Sequence, residues 1–390
     1  MDSVELIATA TFGLEAVVAR EVQVLGYEGG SVANGRVAFR GGPEAICRAN
    51  LWLRSADRVL VKMGEFPALS FDELFEQTKA LPWADWLPAN ASFPVEGKSI
   101  KSKLFSVPDC QAIVKKAVVE SLKQRYHQQW FEETGPRYTI EVAILKDSAT
   151  LTIDTSGPGL HKRGYRKLSS TAPLKETLAA AMISLSHWRP ERMLLDPLCG
   201  SGTIPIEAAL IGLDIAPGLN REFSAEQWPV LPERLWREAR REANDLIRRD
   251  LKLQIRGTDI DADVLSLARY HARQAGVEEQ ISWQQAPLAD LQTKRQYGYI
   301  ICNPPYGERM EDARSVERLY REMGPVFKQL ATWSFYVLTA HRDFEKLLGR
   351  RADKKRKLYN GSIECNYYQF FGPHPARRQA ASTPTPPLSN

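Results

Sequence analysis

Apolar positions recur along this chain at two spacings, and the alternation between them predicts its elements. Residues 4–8 read as a strand. Over residues 13–25, Leu14, Val17, Val18, Val22 and Leu25 fall on one helical face. A short strand at 36–39 follows a turn with Asn34 and Gly35, and then come a helix at 44–51 and a strand at 59–64. These make a small α+β unit. A second unit runs from about Ser70 to Tyr165. It has a helix over 72–80, a strand over 92–96 and a helix opened by Pro108, with Ile113, Val114, Ala117, Val118 and Leu122 on one face. Segments 138–145 and 149–154 form an antiparallel hairpin around Lys146 and Asp147, and the unit ends in GPGLHKRGYR.

From Lys175 the pattern changes. Helices alternate with short apolar strands at 193–196, 255–259, 281–285, 299–303 and 335–339. That alternation implies a parallel sheet with crossover helices. Near the end, 358–360 and 363–371 flank Gly361 and read as an antiparallel pair. Beyond Gly372 the chain is rich in Pro, Ser and Thr, the composition of a disordered tail.

Composition narrows the class. A chain of 390 residues, 43% hydrophobic, is long enough for two or three domains. No apolar run reaches membrane-span length, and the acidic start lacks the basic region of a secretory signal. Cys47, Cys110, Cys199, Cys302 and Cys365 are scattered, with no CxxC pair and no histidines at ligand spacing. They read as reduced thiols in a cytoplasmic protein without a zinc site. The net charge of +5 permits an acidic partner without requiring one.

Two loops carry the chemistry. In MLLDPLCGSGT, a short strand ends at Asp196, and Gly200 and Gly202 open the helix that follows. Taken alone this is an ordinary strand-to-helix turn. A dinucleotide site would need a third glycine, but Pro205 stands there with no N–H to give a pyrophosphate. A carboxylate beside the loop favours a cationic ligand instead, such as the methionine end of S-adenosylmethionine. The next strand ends in Asp259, placed to take both hydroxyls of a ribose.

The second loop, Asn303-Pro304-Pro305-Tyr306, follows the fourth strand. Each proline pushes the residue before it to extended geometry. The Asn303 side-chain oxygen and the Pro304 carbonyl are then placed to accept the two hydrogens of an aryl amine. Such an amine is a poor nucleophile and depends on positioning. Tyr306 is placed to stack on an extruded base. A plain Pro-Pro turn is the alternative. Cys302 suggests a thiolate methylase acting on cytosine C5, but in an apolar strand it reads as a small core residue, as does Cys199.

DPLCGSGT, GTDID and NPPYGER, in that order, with APLKETLAA, LYNGSIEC and KSIKSKLFSVPDCQAIVKKA, resemble the motifs of the THUMP-containing class I RNA methyltransferases, in particular the bacterial 23S ribosomal RNA (guanine-N2)-methyltransferase L branch. The resemblance implies an α/β chain in which a Rossmann-like class I methyltransferase domain follows ferredoxin-like and THUMP α+β domains. Expected boundaries are 1–68, 69–166 and 167–372, with a tail at 373–390. It implies S-adenosylmethionine as cofactor, held by Asp196, Cys199, Gly200, Ser201, Gly202, Thr203, Asp259, Ile260 and Asn303. It assigns the target base to Asn303, Pro304, Pro305 and Tyr306. The family usually has an aspartate after the third strand. Pro287 stands there in this chain, which leaves the adenine to Asp290 or to the backbone.

Three basic segments complete the reading: Lys98, Lys101 and Lys103; His161, Lys162, Arg163 and Arg166 around Tyr165; and Arg350, Arg351 and Lys354 to Lys357. Each alone is a solvated face. Beside a methylase core the three together read as phosphate binding, with the first two supplying the named RNA contacts and Tyr165 available to stack. Trp228 and Trp236 read as domain packing. An adenine-N6 methylase and a non-catalytic ribosome-assembly factor are the rival functions.

Overall fold

In the computed structural model, which describes residues 3–168, 174–307 and 310–375, two seven-stranded sheets divide the chain. The first gathers β1 (Val4–Ala10), β2 (Gly29–Ala33), β3 (Arg36–Gly41), β4 (Ala56–Pro67), β5 (Val95–Ile100), β6 (Ile140–Leu145) and β7 (Ser148–Asp154) in the order β2-β3-β1-β4-β7-β6-β5. Helices α1 (Glu15–Val24), α2 (Pro43–Trp52), α3 (Phe71–Lys79) and α4 (Val107–Tyr126) accompany it. The two α+β units expected from the sequence share this sheet, because β4 of the first pairs antiparallel with β7 of the second. β4 runs on to Pro67, well past the expected end.

Two expectations shift here. The strand expected at 92–96 begins at Val95, because Pro94 has no N–H for the ladder. Lys98 therefore lies inside β5, an edge strand paired parallel to β6, and not in a loop. β2 is an addition to the expected elements. It is exposed throughout and carries no alternation to read.

The second sheet is built from β8 (Leu194–Asp196), β9 (Ile255–Asp259), β10 (Ile281–Gln285), β11 (Tyr299–Cys302), β12 (Ser334–Thr339), β13 (Lys354–Asn360) and β14 (Ile363–Phe370). Its order is β10-β9-β8-β11-β12-β14-β13. The strands from β8 to β12 run parallel, as expected, and β14 and β13 add an antiparallel pair. α5 (Glu176–Ser186) precedes β8, and the connections carry α6 (Thr203–Gly212), α7 (Glu233–Asp245), α8 (Ala262–Gln274), α9 (Met310–Gln329) and α10 (Phe344–Leu348). Starting from β8 the chain moves outward to β10, then returns to the other side of β8 with β11. That reversal opens a crevice at the carboxyl ends of β8 and β11. Residues 172–173 and 308–309 of the quoted motifs, and the tail from 376, lie outside the described residues.

The halves are joined by apolar and ionic contacts. Phe223, Trp228 and Trp236 from the catalytic half sit in the core of the first sheet. Trp228 stacks on Tyr138 with centroids 4.4 Å apart and donates to the Arg137 carbonyl at 3.0 Å. These tryptophans are domain packing, as the sequence suggests. α7 lies on α2, where Arg48 meets Glu242 at 2.8 Å.

The deepest joint is Arg163 with Glu207. Both side chains are almost wholly buried, 2% and 0% exposed, and 3.2 Å apart. Arg163 also donates to the carbonyls of Leu160 (2.8 Å) and Arg54 (2.5 Å), and Tyr165 donates to Glu207 at 3.3 Å. Neither Arg163 nor Tyr165 reaches solvent, which corrects their assignment to RNA. Removing one partner of a buried pair strands the other charge. We therefore expect Arg163→Ala to cost about 3–5 kcal/mol in denaturant unfolding. Its exposed neighbour Lys162→Ala should stay within about 0.5 kcal/mol. Equal, small losses would contradict the account of this joint.

Candidate active site

The donor side begins with Asp196 at the end of β8. Its side chain is 2% exposed and accepts the Leu198 N–H at 3.2 Å. Among the described residues it has no ion-pair partner. Burial first, and then the charge of Asp259, hold its carboxyl well above the usual range. A buried carboxyl without a cation fits a ligand that brings one, such as the methionine end of S-adenosylmethionine.

The glycines of the loop serve different ends. Gly200 adopts φ +51° and a side chain there would meet nothing within 4 Å, so this is the open face of the loop. Gly202 has φ +84°, and an added Cβ would lie 2.7 Å from the Trp283 ring. The close approach that Gly202 permits is that of the protein's own indole. Gly257 answers the same ring, at 2.5 Å. The remaining loop residues are tied down. The Cys199 N–H donates to Thr258 at 3.0 Å, and the His271 ring lies 3.2 Å from the Ser201 carbonyl. Thr203 accepts from Arg166 at 2.5 Å.

Asp259 closes the adjacent wall. One carboxylate oxygen accepts the Gly200 N–H at 2.9 Å and the other the Asp261 N–H at 3.1 Å. Each oxygen keeps a second lone pair, which suits a pair of ribose hydroxyls. Beside it Ile260 is 69% exposed, an apolar surface at the site's edge. The Ala286 N–H donates to the Asp259 carbonyl at 3.1 Å and the Gln285 amide to the Ile260 carbonyl at 2.9 Å. Pro287 and Asp290 follow. Both are exposed.

On the amine side, β11 pairs with β8 through Tyr299–Leu194 and Ile300–Leu195, so Asn303 emerges next to Asp196 across the crevice. Asn303 is half-buried, Pro304 buried and Pro305 exposed. Tyr320 on α9 donates to the Pro305 carbonyl at 2.7 Å and meets the Thr339 hydroxyl at 2.8 Å. These bonds fix the loop from below. The Tyr306 hydroxyl donates to Asn303 Oδ1, and the Asn360 amide donates to the Tyr306 hydroxyl at 3.4 Å. In this state Tyr306 is a partner of Asn303 and packs against the catalytic core, where the sequence suggests an open stacking surface. Tyr320, Trp283 and Asn360 escape a reading of the sequence. Asn360-Gly361 is legible only as a turn, and the two aromatics as core.

The thiols are buried groups, and Cys199 lies within the donor loop itself. All five cysteines are free and buried, and burial pushes the Cys302 thiol far up, away from a thiolate nucleophile. The expected RNA contacts separate into two groups. Lys98, Lys101 and Lys103 are exposed on β5 and the turn after it, Lys98 pairing with Glu141 at 2.9 Å. His161 is half-buried, Lys162 exposed and Arg166 partly buried against Glu176 at 3.3 Å. The third cluster lies on and before the edge strand β13, where Lys355 and Lys357 have carboxylate partners in Glu345 and Glu364. Among the described residues no helix is long and apolar enough to cross a membrane.

Comparison with known proteins places the chain among RNA methyltransferases. Residues 5–60 match the RlmL ferredoxin-like domain, 68–154 the THUMP domain and 163–369 the RMKL-like methyltransferase domain. A Bacillus subtilis (strain 168) protein named "Putative RNA methyltransferase YpsC" is 52% identical over 95% of this chain and 97% of its own length. A Listeria monocytogenes str. 4b F2365 structure, described as "a predicted N6-adenine-specific DNA methylase", is 55% identical. It superposes with a TM-score of 0.92 over 96% of this chain and 97% of that one. SMU.472, "a putative methyltransferase complexed with SAH", is 48% identical, with a TM-score of 0.91 over 96% of this chain and 99% of that one.

The Asp196 carboxyl gives a test with a defined sign. Its folded value is raised, so the unliganded fold loses stability as pH rises from the unfolded value through the folded one. A bound cation removes that loss. The stabilisation by S-adenosylmethionine should therefore grow with pH across the window and level off above it. Thermal melts with and without the donor over a pH series check this. Asp196→Asn should flatten the dependence and weaken binding, and an unchanged slope in the variant would exclude Asp196 as its source.

Proposed function

The chain belongs to the RMKL-like methyltransferase family, and from that premise we propose that it methylates the exocyclic N2 of a guanosine in 23S ribosomal RNA. It is an S-adenosylmethionine-dependent RNA methyltransferase of the THUMP-containing kind. The observation that carries an exocyclic amine as the methyl acceptor is Asn303-Pro304 at the end of β11, across the crevice from the buried carboxyl of Asp196.

When bound, S-adenosylmethionine supplies an electrophilic methyl group on a sulfonium. Asp196 would offer charge to its methionine end, Asp259 would take the ribose hydroxyls, and Ile260 would support the adenine. Asn303 Oδ1 and the Pro304 carbonyl accept the two amine hydrogens and aim the nitrogen lone pair at the methyl carbon. The Tyr306 hydroxyl, now on Asn303 Oδ1, gives way to the amine, and its ring turns to the base. With the donor bound, transfer would form the N–C bond as the C–S bond breaks, and the proton lost by the methylated amine would pass to solvent. Loss of positive charge at sulfur needs no strong base, so positioning supplies most of the acceleration. Lys98, Lys101 and Lys103 provide phosphate contacts remote from the chemistry.

An adenine N6 amine would be held by the same acceptors, and the name of the Listeria relative favours it. Transcripts of 23S rRNA with inosine in place of guanosine separate the two, because inosine lacks the 2-amino group. The N2 reading predicts methylation of the guanosine transcript and none of the inosine transcript. Full methylation of the inosine transcript would move the assignment to adenine. Asn303→Ala should lower single-turnover methyl transfer about a hundredfold, with donor affinity within about threefold, less than about 1 kcal/mol. Transfer at the parent rate would end the amine-positioning account.

A further inference from the structure

A cavity of about 930 Å³ lies at the seam between the two halves of the chain. One wall is the connecting segment, with His161, Lys162 and Arg166. The other is catalytic, with Lys175 at the start of α5 and Asn220 and Arg221 after α6. Four cationic side chains line it against two carboxylates, Glu176 and Glu222, and the buried Arg163 stands behind the wall. A cavity this charged calls for an anionic occupant.

The cations divide by what they already hold. Arg163 is spent on Glu207 and two carbonyls. Arg221 is spent on five carbonyls, those of Ser156, Pro158, Gly159, Lys162 and Glu222. These two are fixed positive charge with little donor capacity left. Arg166 ties the segment to Glu176 and to Thr203, the first residue of α6, so the cavity adjoins the donor loop. Lys162 and Lys175 have no ion-pair partner among the described residues. Two lysines with uncommitted ammonium groups therefore stand in a field that Arg163 and Arg221 hold positive.

Size discriminates among anions. The volume is about thirty times the ~30 Å³ share of one water, far more than a single phosphate ion fills. We propose that this cavity receives the sugar-phosphate backbone of the substrate RNA beside the target nucleotide, with Lys162 and Lys175 as its phosphate contacts. This rests on the RNA methyltransferase reading and adds Lys175, and the fixed charge of Arg221, to it. The strand would cross the seam here, between the lysines of the β5 edge and the crevice at β8 and β11.

His161 reports on the field. Burial, and then Lys175, Lys162, Arg163 and Arg221 around it, push its imidazole down to about 4. A phosphate placed among those cations favours the imidazolium and must raise that value.

The test uses the full chain and a fluorescently labelled single-stranded RNA oligonucleotide. Lys162→Gln with Lys175→Gln should weaken RNA binding about tenfold or more at low salt. The log–log salt slope should become shallower by about 0.7 for each phosphate that is no longer neutralised. S-adenosylmethionine affinity and melting temperature should not change, since neither lysine holds an ion pair in the fold. In the parent, RNA should raise the His161 titration midpoint followed by NMR. An unchanged salt slope in the double variant, or a His161 midpoint that RNA does not move, would overturn the proposal. A parent that binds RNA with the expected slope yet leaves guanosine unmethylated would support the cavity and refute the N2 assignment, so the two readings fail separately.

Discussion

The strand order reverses between β8 and β11, and the site depends on that one constraint. In a parallel sheet every crossover helix leaves from a carboxyl end, and adjacent crossovers normally cover it. Here the chain departs in one direction after β8 and in the other after β11. The ends of these neighbouring strands stay uncovered, and the first brings Asp196 while the second brings Asn303. An anion that wants a cation and an amide that wants amine hydrogens are thereby set on one crevice. Methyl transfer from a sulfonium to an aryl nitrogen needs little more than that pairing and a dry, fixed geometry.

The geometry is fixed by packing that looks unrelated to chemistry. Trp283 fills the space left by Gly202 and Gly257, so the donor loop and β9 are held against one indole. Tyr320 holds Pro305, and Arg166 and His271 hold Thr203 and Ser201. Further out, the Arg163–Glu207 pair and the Trp228–Tyr138 stack fasten the catalytic half to the sheet shared by the ferredoxin-like and THUMP units. The two halves are therefore held at a set distance from each other. A buried ion pair is a poor source of net stability. Its use here is that a docking which separated Arg163 from Glu207 would strand both charges.

Much of this is legible in the sequence because its causes are local. The parallel strands announce themselves as short apolar runs, and Asp196, Asp259 and Asn303 each fall at or just after a strand end. What stays hidden depends on contacts across the chain. GPGLHKRGYR reads as a basic surface segment, but Arg163 turns inward to Glu207, the one acidic residue of the apolar helix α6. That isolated charge in an apolar stretch is the available signal for a buried partner. Tyr165 follows Arg163 inward for the same reason. Trp283 gives Gly202 a meaning that the glycine pattern alone does not carry. β2 bears no alternation because no face of it is buried.

The central claim is that the methyl group goes to an exocyclic amine held by Asn303, and the modified nucleoside tests it most directly. Transcribed 23S rRNA would be methylated with a deuterium-labelled donor by the purified protein, digested to nucleosides and analysed by mass spectrometry. The account predicts the label in N2-methylguanosine. Label on a ring carbon or on a ribose oxygen would contradict it.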